Sequence, residues 1–292
     1  TNGLLIKMVD IKRYWVVAEL DCPHTFATKK TNMIKAIFFD IDGTLVSFKT
    51  HQVPQSAIDA IVQAKAQGVK IYISTGRPFP LINNIDGIKH LVDGYITANG
   101  AYCFVGNKVI SCQPIPDEDV RTVIRWADEK EFACMVVGEK DLAMYRNNAC
   151  ADRIFRQMLD VNNLQTDVPI EPILCQRILQ LTPVISETEE KQLMPLLSGC
   201  ESSRWYPDFA DITARNANKG NGLLAIAAHQ GIRIEETMAL GDGGNDIPIV
   251  ERAGIGVAMG NANDSLKAIA DYVTDSVDED GVYHALKRWI SI

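Results

Sequence analysis

Two aspartates one residue apart, Asp40 and Asp42, end the apolar run Ile34, Ala36, Ile37, Phe38, Phe39 and are followed at once by Gly43 and Thr44. The run reads as a buried central strand of a parallel sheet that opens into a loop. Side chains alternate along a strand, so the two carboxylates set out on the same side, and Gly43 lets the backbone turn sharply where a ligand can approach. Two acids side by side at the end of a buried strand repel one another and lose solvation; a hard cation such as Mg²⁺ is the usual compensation. The pattern D-x-D-G also opens calcium loops and ordinary turns, so this segment alone leaves a solvated loop open. A second acidic segment, Gly241-Asp242-Gly243-Gly244-Asn245-Asp246, again follows a short apolar strand and sets two acids one helical turn apart. Taken alone it serves equally well as a turn or helix cap, with Asn245 or Asp246 as N-cap and Pro248 in the first turn. Three or four carboxylates converging at neighbouring strand ends are strongly repulsive without a metal. Lys219, followed by Gly220 at the start of a helix, lies where the helix dipole disfavours a lysine. It is either an exposed lysine or one that joins the helix N-terminus in holding a phosphate.

The elements that must position these groups follow from periodicity. A helix is expected over 54–67, with Pro54 in its first turn and Gly68 to end it. A strand over 69–74 then runs into Thr75-Gly76-Arg77. Strand–helix–strand closes as a right-handed parallel unit, which gathers Asp40, Asp42, Ser74 and Thr75 at the sheet edge where open α/β sheets bind ligands. From about 205 the alternation returns: strand 209–213, helix 219–230, strand 238–240, a helix through 252, strand 255–258, a helix near 265–270, then 272–274 and 282–290. The stretch between differs. Thr97-Ala98-Asn99-Gly100-Ala101 lies near its start, a hairpin joins 102–105 to 108–111 across Gly106-Asn107, and helices over 116–131, 150–159 and 187–196 interleave with strands over 132–137, 142–145 and 177–181. Such mixing indicates an α+β insert and not a continuation of the parallel sheet. The expected architecture is α/β: a doubly wound, Rossmann-like parallel-sheet core at 33–84 and 207–292, with an inserted α+β cap domain at 85–206.

With 47% hydrophobic and 23% charged residues, the 292-residue chain is globular in composition. A net charge of −8 argues against nucleic acid or an anionic membrane as the main partner. It leaves room for a phosphorylated substrate, because a bound cation reverses the local sign. No apolar run approaches the roughly 18 residues of a membrane span. Seven cysteines are scattered without a C-x-x-C pair, which reads as reduced thiols in a cytoplasmic protein. Residues 1–32 look unlike the remainder and lack the apolar segment of a signal peptide. The expectation is that Met33 is the natural start and that the preceding stretch is an upstream or added extension outside the fold.

Together these segments resemble the haloacid dehalogenase superfamily of aspartate-nucleophile phosphotransferases. Asp40-Ile41-Asp42-Gly43-Thr44 matches its first motif, Thr75 in Ser74-Thr75-Gly76-Arg77 its second, Lys219 its third, and Gly241-Asp242 through Asp246 its fourth. The T-G-R, N-K-G and G-D-G-x-N-D forms, the N-G-A at Asn99 and the long insert between the second and third motifs are similar to the Cof-type sugar phosphatase branch, which carries a class 2 α/β cap of type B. The resemblance covers 33–292. It implies that Asp40 attacks phosphorus to form an aspartyl-phosphate, and that Asp42 protonates the leaving alcohol and then deprotonates the attacking water. It implies Mg²⁺ held by the Asp40 carboxylate, the Asp42 carbonyl and Asp242, with Asp246 as ligand or water anchor. Thr75 and Lys219 would bind phosphoryl oxygens, Lys219 also offsetting transition-state charge. Gly43, Thr44, Gly76, Arg77, Asn99 and Asn245 would surround the phosphate or substrate. The cap would close over the site, with Arg204-Trp205-Tyr206-Pro207 either touching substrate or forming a hinge or packed edge. The implied activity is a Mg²⁺-dependent phosphatase of small phosphorylated metabolites, hexose or pentose phosphates first. The alternatives are a phosphomutase and a non-catalytic sugar-phosphate sensor; retention of Asp40, Asp42, Lys219 and Asp242 speaks against the sensor. The implied partner is the small phosphorylated substrate, with no nucleic acid and no membrane. Neither the identity of that substrate nor the oligomeric state follows from the sequence.

Overall fold

Four consecutive apolar residues with no polar face need cover on both sides of a sheet, and β1 (Ala36–Phe39) is buried at every position. The computed structural model describes residues 33–158, 161, 164–166 and 168–292, with Trp205 described by its backbone alone; the expected extension at 1–32 lies outside the described residues. β1 pairs in parallel with β2 (Lys70–Ser74) on one side and with β11 (Thr237–Gly241) on the other. The eight-stranded sheet continues through β12 (Ile255–Ala258) and β13 (Tyr272–Val273) beyond β11, and through β3 (Gly94–Thr97), β4 (Tyr102–Val105) and β5 (Lys108–Cys112) beyond β2. The chain leaves β1 toward β2 and returns on the opposite side as β11, so a topological switch point falls beside β1. Helices Gln55–Ala66 and Gly281–Trp289 pack on one another, as do Lys219–Gln230 and Ile247–Arg252. Residues of all four helices enter the same core as the strands, among them Ile61, Leu286, Leu223 and Ile249.

Register aligns the strand ends. Phe39 is level with Leu240 of β11 and with Ile73 of β2, and the Asp40 amide still donates to the Leu240 carbonyl (3.1 Å). The residues just beyond all three strands therefore share one edge. β1 itself ends at Phe39. The turn after it is closed by Gly43 N to Val46 O (2.9 Å) and Val46 N to Ile41 O (2.7 Å).

A second, five-stranded antiparallel sheet has the order β7 (Leu142–Tyr145), β6 (Cys134–Gly138), β8 (Ile178–Pro183), β10 (Phe209–Ala214), β9 (Cys200–Tyr206). One of its faces buries Val136, Leu181 and Ile212 in a core shared with Val120, Val123 and Ala127 of the helix Asp117–Lys130. Strand pairing departs from the expected boundaries at both joins. β3 is parallel to β2, and β4 and β5 hang antiparallel from it, so the large sheet continues to Cys112 instead of stopping before 85. The crossover into β3 holds only the four-residue helix Asp86–Lys89, too short to show helical periodicity. At the other join, Pro207-Asp208 is not a link back to the core. It is the tight turn of a hairpin between β9 and β10, so the chain stays in the second sheet to Ala214. The helix expected over 150–159 is the short helix Ala149–Asp152 continued by a π-helical segment, Arg153–Met158. No helix among the described residues is long and apolar enough to cross a membrane. Among the described cysteines, Cys103, Cys112, Cys134, Cys150, Cys175 and Cys200 are free thiols.

Candidate active site

At the shared strand edge, Asp40, Asp242 and Asp246 each offer a carboxylate oxygen within 4.8 Å of the others. Lys219 lies among them with no exposed surface, and its Nζ donates to Asp40 Oδ1 and to Asp246 Oδ1, both at 2.7 Å. It is not the exposed lysine that its position allowed: the two acids offset the unfavourable helix dipole. The Asn218 side chain caps its helix by accepting from the Asn221 amide (2.9 Å). Asp246 does not cap the following helix with its side chain. Its Oδ2 accepts from the amides of Asp242 and Gly243, each at 3.0 Å, which folds the G-D-G-G-N-D loop around the carboxylate.

Fully ionised, three carboxylates against one ammonium leave two net negative charges in a buried centre. Charges about 4 Å apart interact by about 4 kcal/mol even at an effective dielectric near 20, so this excess must be met by protons or by a cation. Burial pushes the Asp40 carboxyl well up, reinforced by Asp246, Asp242 and Asp42 and opposed by Lys219. Burial and then Asp246 push Asp242 up to about 7, and Lys219 is held above the usual lysine value by its two acids despite its burial. An all-oxygen set with two charges to balance suits a hard divalent cation.

Asp42 stands apart from that trio. Its carboxylate receives the guanidinium of Arg77 in a fork, Nε to Oδ2 at 2.8 Å and Nη2 to Oδ1 at 2.7 Å. Arg77, expected at the phosphate or substrate, thus holds Asp42 and also donates to Leu81 O (3.2 Å) and to Asn83. Thr75 Oγ1 accepts from the Arg77 amide (3.1 Å). The N-G-A turn braces this loop, with Ala98 N donating to Arg77 O and Asn99 N to Thr75 O, each at 3.1 Å. Gly100 adopts φ +97°, and a Cβ there would lie 2.3 Å from the Asn218 carbonyl oxygen, so the turn presses directly on the N-cap of the Lys219 helix. Asn99 Oδ1 accepts from Asn245 (3.0 Å), which joins the N-G-A turn to the fourth motif. Gly43, at φ +80°, has no room for a side chain because a Cβ would meet Asp242 Oδ2 at 2.3 Å. The Thr44 hydroxyl is buried without a partner.

Of the expected site residues, Asp40, Asp42, Thr75, Gly76, Arg77, Asp242 and Asn245 line a cavity of about 470 Å³. Gly43, Thr44, Asn99, Lys219 and Asp246 are not among its lining residues. The cavity is also lined by residues of the second sheet and its flanking segments: Met135, Phe155, Gln180, Ser203, Arg204, Phe209 and Asp211. Arg204 borders it but is engaged by Glu190 Oε2 (2.6 Å) and by the carbonyls of Ile185 and Pro207; the side chain of Trp205 lies outside the described residues. Sequence reasoning missed Gln180 and Asp211, which lie in mainly apolar strands. It also missed Asn261, whose Nδ2 donates to Gly43 O (2.8 Å) and Asp242 Oδ2 (3.3 Å). The only signal for Asn261 was the glycine–asparagine turn directly after β12.

A carboxylate centre with a buried lysine, at the switch point of a doubly wound sheet and bordering a cavity, has the make-up of an enzyme active site. The family model of haloacid dehalogenase-like hydrolases matches residues 37–286, and the chain belongs to that family. It is a phosphatase of the Cof-type branch. The solved structure of the HAD subclass IIB sugar phosphatase BT4131 superposes with a TM-score of 0.83 at 48% identity, covering 88% of this chain and all (100%) of that one. BT1666 from Bacteroides thetaiotaomicron, a phosphatase of the same superfamily, gives 0.80 at 39% identity over 90% of this chain and 98% of its own. Phosphatase YwpJ of Bacillus subtilis is 30% identical over 293 residues, spanning 87% of this chain and 99% of its own length.

Proposed function

We propose that this phosphatase is Mg²⁺-dependent, acts on small phosphorylated metabolites with sugar phosphates foremost, and works through an aspartyl-phosphate on Asp40. The observation that carries the reading is the Asp40–Lys219–Asp246–Asp242 centre opening on a cavity of about 470 Å³ that is walled in part by the second sheet. Likeness to a sugar phosphatase at 48% identity supports the substrate class.

In this reading Asp40 Oδ attacks phosphorus, the ester P–O bond breaks, and Asp42 gives its proton to the departing alkoxide. Water then attacks the same phosphorus and passes its proton to Asp42, the Asp40–phosphorus bond breaks, and inorganic phosphate leaves with both aspartates restored. Lys219 keeps the attacking carboxylate fixed and offsets part of its charge. Thr75 and the backbone at Gly76 border the space where the phosphoryl oxygens lie. The Asp40 and Asp242 carboxylates, with Asp246 behind them, would hold Mg²⁺, which when bound offsets the charge shared between nucleophile and phosphoryl oxygens. The second sheet acts as the cap that excludes water and contacts the leaving group.

Phosphate release across a broad phosphometabolite panel, with and without Mg²⁺, tests this. Asp40→Asn removes the nucleophile at almost constant volume, so turnover is expected to disappear while circular dichroism and melting show an intact fold. More than a few per cent of wild-type turnover in that variant, or full activity in chelator, overturns the proposal.

A further inference from the structure

Among the described residues that line the cavity, one buried side-chain polar atom is left without a partner. Gln180 on β8 is only 1% exposed, yet it borders the cavity. Its Nε2 donates to Asp211 Oδ1 (2.8 Å) and to Thr182 Oγ1 (3.1 Å), and Thr182 Oγ1 donates to the same Asp211 oxygen (2.8 Å). Asp211 Oδ1 accepts from both the amide and the hydroxyl, which sets the amide nitrogen toward it. The nitrogen faces Asp211 and Thr182, and Oε1 has no hydrogen-bond partner and almost no exposed surface, so a donor meets it only once the groups lining the cavity shift around a substrate. Burying an amide oxygen without a donor is costly. Gln180 and Thr182 lie on one face of β8 by alternation, and β10 brings Asp211 alongside them. The β-sheet's ladder bonds are made by backbone, so it has no need of this trio.

We propose that Gln180 is the residue that reads the leaving group: its Oε1 accepts a hydrogen bond from a hydroxyl of the substrate. Asp211 and Thr182 are positioning residues that hold the amide for this contact. Phe155, Phe209 and Met135, which border the same cavity, supply an apolar wall for the C–H face of a polyol. This rests on the phosphate-ester reading above and sharpens its substrate class. An acceptor requires a donor, so the group it selects is a neutral hydroxyl. A second phosphate or a carboxylate, which at neutral pH brings acceptors, is disfavoured there.

The test compares kcat/KM for a hexose phosphate with kcat/KM for its monodeoxy analogues, in the wild type and in Gln180→Met, which keeps length and volume but accepts no comparable bond. Wild type is expected to discriminate against one deoxy analogue by ~10–100-fold, because that analogue leaves the buried oxygen unanswered. Gln180→Met is expected to bring the ratio for that analogue to within ~3-fold of unity. Each ratio is taken within one preparation, so a smaller folded fraction cancels. Thr182→Val, which loosens the amide, serves as the second variant and is expected to lower the same ratio. Discrimination that persists in both variants overturns the proposal, as does a wild type that prefers sugar phosphates yet ignores every deoxygenation. A wild type that hydrolyses ethyl phosphate as well as hexose phosphates instead overturns the sugar-phosphate reading itself, and the role of Gln180 with it.

Discussion

Asp42 receives two parallel hydrogen bonds, at 2.8 and 2.7 Å, from the one guanidinium of Arg77, and such a fork fixes the plane of a carboxylate as well as its place. The proton transfer proposed for Asp42 would need that plane, and would also need Asp42 to exchange one of the two bonds for the substrate. Arg77 is in turn held by the Leu81 carbonyl and by Asn83, so the whole arrangement is set by the segment after β2. Arg77→Lys keeps the charge and loses the fork. Its kcat is expected to fall by ~10–100-fold with a smaller change in KM, as a misaimed acid–base group slows chemistry more than binding. Steady-state kinetics with one good substrate decides the matter: a raised KM with kcat intact would place Arg77 on the phosphate instead.

At the level of elements, the entry of β11 into the sheet hangs on Glu236. Its carboxylate accepts from Arg233 Nη2 (2.9 Å) and the Arg233 amide (3.1 Å), and Lys35 just before β1 lies 3.0 Å away. Hydrogen bonds from Arg233 and then Lys35 hold this carboxyl down to about 2. A depressed acid contributes stability above its unfolded pKa, about 4.3, and loses it as pH falls through the folded value. Glu236→Gln is therefore expected to lower the Tm at pH 7, and the gap to wild type to narrow as pH drops from about 5 toward 2. A gap independent of pH across that window would show that packing, not charge, is what Glu236 supplies. The strand-end loops at Asp40, Thr75 and Asp242 were legible in the sequence because each is a local event, an apolar run broken by acids, hydroxyls or glycine. Strand partnership was not legible. A short apolar run marks 209–213 as extended, but its pairing with β8 depends on chain from elsewhere, and 94–97, not read as a strand in the sequence, pairs with β2. The same reason hid Gln180 and Asp211: neither has a motif, and their meaning arises only where β8 meets β10. Lys219 was visible as an oddity of helix polarity, whereas its complete burial between two acids is a property of the assembled edge.

For the molecule as a whole, the acidic centre makes folding, protonation and metal binding one coupled equilibrium. With Asp242 pushed up to about 7 in the metal-free fold, well above the unfolded ~3.9, the raised value contributes stability that is present at acid pH and lost as pH rises through 7. Asp40 shifts in the same direction. Metal-free protein is therefore expected to melt higher at pH 6 than at pH 8, a slope opposite in sign to the one that Glu236 produces at lower pH. If the cation is Mg²⁺, as proposed, it must displace those protons to bind, so its affinity is expected to strengthen up to ~10-fold per pH unit for each proton released. At ~100 times its Kd, a ligand specific for the folded state adds about 2.7 kcal/mol, worth about 5–10 °C in a domain of this size. The Mg²⁺-induced rise in Tm is thus expected to be larger at pH 8 than at pH 6 and to remove most of the pH difference between the two. Asp242→Asn takes away both the titrating proton and a ligand oxygen, and is expected to flatten the metal-free slope and abolish most of the Mg²⁺ shift. Differential scanning calorimetry at the two pH values, in chelator and in Mg²⁺, checks both halves at once. An equal Mg²⁺ shift at pH 6 and pH 8, or one that survives in Asp242→Asn, would mean that the cation binds away from this centre.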